Sequence, residues 1–211
     1  RDYKVTGVQT CALPIYPQIR ITPGDKRMEE LARVFGAPIV MRSPLRDGSL
    51  RKAARGLGKD ILLFEAGEGL RFDEFAIRAG VASVLRVLNH LKMLPSKGIS
   101  KPKGATQFCP ASTWLRAPMG GILRLYRSDG EFVQKGELMA AVADPFGETE
   151  RTIEAPFSGL IVGRAGMPIV NEGDAVFHLG RVGSMQKAED AVEDLSAQLS
   201  DDPMFDEDEI I

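Results

Sequence analysis

The stretch that most constrains this chain is Ile61–Gly69, ILLFEAGEG. Four large apolar residues in a row, Ile61 to Phe64, are too few for a helix and fit a short strand buried on both faces. The run stops at a carboxylate, Glu65, and a second one, Glu68, follows after Ala66 and Gly67. A charge at the end of a buried strand costs free energy unless a partner or a chemical task uses it. In open α/β sheets, ligands and catalytic groups gather in the loops at the carboxyl ends of strands. The pattern leaves two readings of Glu65: a structural carboxylate that caps a helix or pairs with an Arg, or a functional one facing a cleft.

The residues around this strand extend the α/β pattern. Tyr16–Thr22 reads as an extended stretch. A helix begins near Asp25, with Met28, Leu31, Ala32 and Phe35 on one face and Gly36 as its stop. Ile39–Met41 is a short strand, and Ser49 caps a helix that carries Arg51, Lys52 and Arg55. Asp73–Leu91 is the strongest helix, with Phe75, Ile77, Val81, Val84, Leu85, Leu88 and Leu91 expected to pack against the sheet. His90, near its end and without a second candidate ligand nearby, reads as a surface histidine.

After Leu94 the texture changes. Residues 95–110 are a polar, Lys-, Gly- and Pro-containing linker. Residues 111–182 then show short apolar runs punctuated by turn residues, which predicts an all-β unit. Within it, Val133 and Gly136 are echoed by Val170, Gly173 and Asp174, as two similar halves of a barrel-sandwich would be. The β unit resembles lipoyl and biotinyl carrier domains. A carrier needs a lysine at the tip of its hairpin, and Asp144-Pro145-Phe146-Gly147-Glu148 stands there instead, which argues against a swinging arm.

Charge and cysteine content bound the partners. The net charge is −2, yet Met185–Ile211 holds ten acids against Lys187 alone, so this tail is at −9 and the rest at +7. Residues 183–211 are therefore expected to form a frayed helix followed by disorder. No basic patch with interleaved aromatic residues predicts nucleic-acid binding, and no apolar run is long enough to cross a membrane. Val5–Ile15, VTGVQTCALPI, reads as the in-frame translation of a sequencing adapter, so residues 1–15 are set aside as non-native. That leaves Cys109 as the one native cysteine, which fits a reducing, cytoplasmic setting.

The two stretches SLRKAARGLGKDILLFEAGEG and FDEFAIRAGVASVLRVLNHLKML together resemble the succinylglutamate desuccinylase/aspartoacylase family of zinc-dependent deacylases. The segment from WLRAPMGGILRLYRSDGEFVQKGELMA to VNEGDAVFHL is similar to that family's carboxyl-terminal β domain, and the whole resemblance spans Tyr16 to Leu179. It implies an α/β fold over residues 16–94, the carboxyl-terminal part of a zinc carboxypeptidase-like domain, followed by the all-β barrel-sandwich domain. It implies that the general-base Glu of an E-x-G falls on Glu65, with Glu68 structural. Arg55, ten residues earlier, matches the place of a substrate-carboxylate Arg, and Arg51 is a second candidate on the same helix.

The resemblance also implies a zinc ion held by two histidines and a glutamate. The family's H-x-x-E motif and its later zinc histidine lie before the region present here. His90 and His178 sit in no matching motif, so this chain is expected to supply no zinc ligand and to be an inactive fragment of a zinc enzyme. The expected substrate is a small anionic N-acyl amino acid or related amide. The alternative is a non-catalytic binding module built on the β domain.

Overall fold

The computed structural model describes residues 13–201. The proximal half alternates strands and helices: β1 (Ile15–Ile21), α1 (Lys26–Phe35), β2 (Ile39–Arg42), α2 (Leu50–Gly56), β3 (Leu63–Gly67) and α3 (Glu74–His90). The helix starts obey their capping chemistry. Asp25, Ser49 and Asp73 each accept the backbone N–H three residues on, and Gly36 ends α1 in the left-handed region at φ 78°. β1, β2 and a short strand β4 (Gln107–Cys109) run parallel, while β3 lies antiparallel to β1.

The distal half is β5 (Ser112–Arg116), β6 (Gly121–Leu125), β7 (Phe132–Val133), β8 (Leu138–Ala143), β9 (Glu150–Glu154), β10 (Gly159–Arg164), β11 (Ile169–Val170) and β12 (Ala175–Gly180). An amphipathic helix α4 (Met185–Asp201) follows. Strands β11-β6-β8-β9 form a four-stranded antiparallel sheet. The others join the proximal strands in one eight-stranded mixed sheet, ordered β4-β2-β1-β10-β12-β5, with β3 on β1 and β7 on β10. Met139 and Val142 of the small sheet share a core with Ile161, Phe177 and Leu179 of the large one, so the two sheets pack through these side chains. Among the described residues, neither sheet closes on itself. The all-β half is thus built on two packed open sheets.

The internal repeat has a physical form. In Val133–Glu137 and again in Val170–Asp174, a glycine adopts positive φ, 83° at Gly136 and 85° at Gly173. The acid after each glycine accepts the N–H three residues back, at 2.8 Å both from Gln134 to Glu137 and from Asn171 to Asp174. An added Cβ at either glycine would touch nothing within 4 Å. The cost of Gly136→Ala or Gly173→Ala therefore comes from the backbone alone and is expected to be about 1–2 kcal/mol. It would be read as a lower urea midpoint with unchanged slope, and an unchanged midpoint contradicts the assignment.

Four expectations are corrected. Leu13–Ile15, set aside with the amino-terminal segment, reaches the core. Ile15 pairs with Gly163, Pro14 O accepts the Arg164 N–H at 3.0 Å, and Leu13 packs on the β core. Extending a strand needs only backbone groups and apolar side chains, which these residues supply whatever their origin; residues 1–12 lie outside the described part. The stretch read as a linker contains β4, and Thr106 donates to Ala37 O while Arg86 donates to Ser100 O. The acidic helix α4 is packed rather than frayed, burying Ala188, Ala191, Leu195 and Leu199; the remainder of the tail, 202–211, lies outside the described residues.

The fourth correction concerns α3. Its buried positions are Ala76, Ala79, Ala82, Ser83 and Arg86, whereas Ile77, Val81, Val84 and Leu91 are exposed. The reason is close approach. A Cβ on Gly80 would come within 3.0 Å of the Phe64 ring, so the side facing β3 has room only for small residues.

Candidate functional site

Glu65 lies in the middle of β3, which continues to Gly67, rather than at the end of the apolar run. Pairing with β1 explains the extension: the register sets Gln18 opposite Glu65 and Ile15 opposite Gly67. β3 is bonded to β1 alone among the described strands, so it is an edge and not the central strand expected. β1 alternates, with Ile19 and Ile21 in the core under α1 and Gln18 and Arg20 on the opposite face.

That alternation builds the site. Arg20 Nε donates to Glu65 Oε2 at 2.7 Å, and Gln18 Nε2 donates to the same oxygen at 3.0 Å. One carboxylate oxygen is thus held by two donors from β1, while no hydrogen bond engages Oε1 among the described residues. The Arg20 and Glu65 side chains remain 20% and 18% exposed, so the pair is sheltered and still open to solvent. Charge-assisted bonds of this length fix a carboxylate's orientation.

Arg51 belongs to the same cluster. It is buried, and its Nη2 donates to Ser43 O at 2.8 Å and to Thr22 Oγ1 at 3.3 Å, while its Nε is buried without a partner. Burial pushes its guanidinium pKa down, the neighbouring Arg20 charge adds to this, and Glu65 partly offsets it. Arg55 stands apart, paired with Asp25 at 3.0 Å and Asp60 at 3.1 Å. Glu68 pairs with Arg71 at 2.8 Å. The structure therefore joins Glu65 to Gln18 and Arg20, which sequence reasoning missed, and holds Arg51 within reach of the Arg20 and Glu65 charges. Their one signal is the polar–apolar alternation Gln18-Ile19-Arg20-Ile21.

In the distal half, His178 feels the charge of Arg20. The residue is buried on β12, its Nε2 lies 2.8 Å from Ser112 Oγ, and its ring stacks on Trp114 with centroids 4.3 Å apart. Burial lowers its pKa to about 3, and the Arg20 charge contributes in the same direction. The electrostatics of Arg20 thus act on both Glu65 and His178. His90 is a partly exposed residue 3.9 Å from Glu30.

Among the described residues no three His, Cys, Asp or Glu side chains come together as metal ligands. The described residues thus offer no set of zinc ligands. No helix among the described residues is long and apolar enough to cross a membrane.

Solved structures that share this fold are members of the succinylglutamate desuccinylase/aspartoacylase family, as the sequence resemblance anticipated. The Rhodobacter sphaeroides succinylglutamate desuccinylase/aspartoacylase superposes with a TM-score of 0.70 at 20% identity, over 82% of this chain and 55% of that one. The apo ectoine utilization protein EutE (DoeB) from Ruegeria pomeroyi gives 0.71 at 20% identity, over 81% and 56%. A succinylglutamate desuccinylase from Silicibacter sp. TM1040 gives 0.63 at 22% identity, over 82% and 55%. The chain thus spans little more than half the length of these proteins. No protein-family model and no curated protein matches it.

Proposed function

We propose that this chain is part of a deacylase that hydrolyses the amide of a small N-acyl amino acid or related compound, with Glu65 as the general base. The observation behind the reading is the anchoring of Glu65 by Arg20 and Gln18, which immobilises one oxygen and leaves the other for proton transfer. In such a hydrolysis Glu65 takes a proton from the attacking water and returns it to the leaving amine. The fold supports the reaction class.

Arg51 is the better placed of the two arginine candidates to meet a substrate carboxylate, being buried within reach of the Glu65 charge, whereas Arg55 already has two acids. A guanidinium with an unused N–H in a sheltered site suits an anionic ligand. The reading includes zinc in the whole protein, on ligands other than the residues described here, and a cytoplasmic setting in keeping with the free, buried Cys109.

The test is hydrolysis of a panel of N-acetyl and N-succinyl amino acids, with and without a chelator, by the protein expressed from the whole reading frame that contains this chain. Chelator-sensitive release of the free amino acid is expected. A folded whole protein that hydrolyses none of them, while binding one, would favour the non-catalytic module.

A further inference from the structure

We infer that α4 is a strap that folds as it docks across both halves of the chain, and that repulsion between its own carboxylates sets the balance between docked and released. Low ionic strength loosens the strap and high ionic strength closes it.

The helix does not hold by itself. Glu189 and Glu193 stand one turn apart, as do Asp190 and Asp194, and Asp190 also meets Glu193 at a spacing of three. Like charges at these spacings oppose the helix, and Lys187 is the one base within it. No basic residue stands in the last turn to meet the carbonyl end. Its 17 residues barely exceed the length at which even an alanine-rich helix is marginal in water. Docking therefore supplies what the charges withhold.

The docked side is built for one helix in one register. Ala188, Ala191, Leu195 and Leu199 are buried, and α4 meets α3 and β4 of the proximal half and β10 of the distal half. Val192 packs on two core clusters, one holding Tyr16 and Ala79 and the other Cys109 and Leu160. Its carbonyl accepts from Tyr16 Oη at 3.5 Å. The segment 100–104 forms the other wall. Gln198 is buried there, its Nε2 donating to Ser100 Oγ at 3.0 Å and to Lys101 O at 3.3 Å, and its Oε1 accepting the Lys103 N–H at 3.2 Å. A Cβ on Gly104 would come within 2.9 Å of Asp194 Cβ and 3.4 Å of Ala191 Cα, so the strap runs against a glycine. On the outer side Asp190 and Glu193 face water. The apolar side favours docking and the charged turns oppose the helix that docking needs, so salt, which screens the repulsion, shifts the balance.

Pulsed thiol labelling of the 211-residue chain tests this. With Cys11 replaced by Ser, Leu195→Cys carries a thiol on the buried side of the strap, and mass spectrometry distinguishes it from Cys109 in the core. Below the unfolding transition, its labelling by maleimide should depend only weakly on urea, as local release does. The rate should fall at least about threefold between about 0.01 M and about 1 M salt, where the screening length drops from about 30 Å to about 3 Å. Gln198→Ala should raise it about tenfold by removing the buried anchor. Glu193→Gln removes the repulsion from Glu189 and Asp190, so it should slow labelling at low salt and flatten the salt dependence. Leu199→Cys repeats the measurement should Leu195→Cys prevent docking. Labelling with the full urea slope of global unfolding would overturn the strap, because α4 would then leave only with the rest of the fold. A rate indifferent to salt, or a salt dependence that Glu193→Gln leaves intact, would overturn the electrostatic control.

Discussion

Glu65→Gln, introduced into the protein from the whole reading frame, is expected to leave it folded and to reduce amide hydrolysis by at least about 100-fold. An amide cannot take up the proton that a general base must accept, while its size and its oxygen keep one bond to β1. The stability cost should be small, about 1–2 kcal/mol, because the Arg20–Glu65 pair is partly open to water and Arg20 keeps solvent contact. Fold loss and chemistry are therefore separable by a melt alongside the rate. Glu68→Gln removes a surface pair with Arg71 and should stay near wild-type activity. Arg20→Ala should fall between the two, lowering turnover by freeing the carboxylate, and Arg20→Lys should recover part of it. Wild-type turnover in Glu65→Gln would remove Glu65 from the mechanism.

Acid should unfold this chain through His178. Its folded-state pKa of about 3 lies below the ordinary 6.5, so between these values the unfolded chain binds a proton that the folded one does not. Stability then falls as pH drops from about 6.5 toward 3, and above 6.5 the residue contributes no pH dependence. At about 1.4 kcal/mol per unit, the loss is on the order of 4–5 kcal/mol, comparable to the whole stability of a marginal domain. The groups around the ring explain it: Trp114 stacks on it, Ser112 offers a neutral partner, and Arg20 is the charge that opposes protonation. His178→Phe keeps the stack and returns the exposed Ser112 hydroxyl to water. It should flatten the dependence of the urea midpoint on pH between 6.5 and 4. A variant as acid-sensitive as the parent would assign the effect elsewhere.

Much of the proximal half was legible in the sequence, because caps and stops act locally: Asp25, Ser49, Asp73 and Gly36 do what their chemistry dictates. What remained hidden depends on pairing. The end of β3 could not be read from apolarity, which stops at Phe64, since the strand continues through Glu65 to Gly67 by bonding to β1. The same register makes Gln18 and Arg20 partners of Glu65 across more than forty residues. The face of α3 was misread because large apolar residues mark it by count, whereas the sheet accepts small ones by distance. Helix α4 was expected as a frayed helix, and its acids hid the packing of Ala188, Leu195 and Leu199 against the rest of the chain. Arg55 illustrates the limit of spacing: the right interval from Glu65 placed it on the right helix, but Asp25 and Asp60 hold it.

The bond between Ile15 and Gly163 joins β1 to β10, so strands from both halves of the chain are woven into one sheet. Swinging one half against the other would have to part that pairing and the Arg164 N–H to Pro14 O bond beside it.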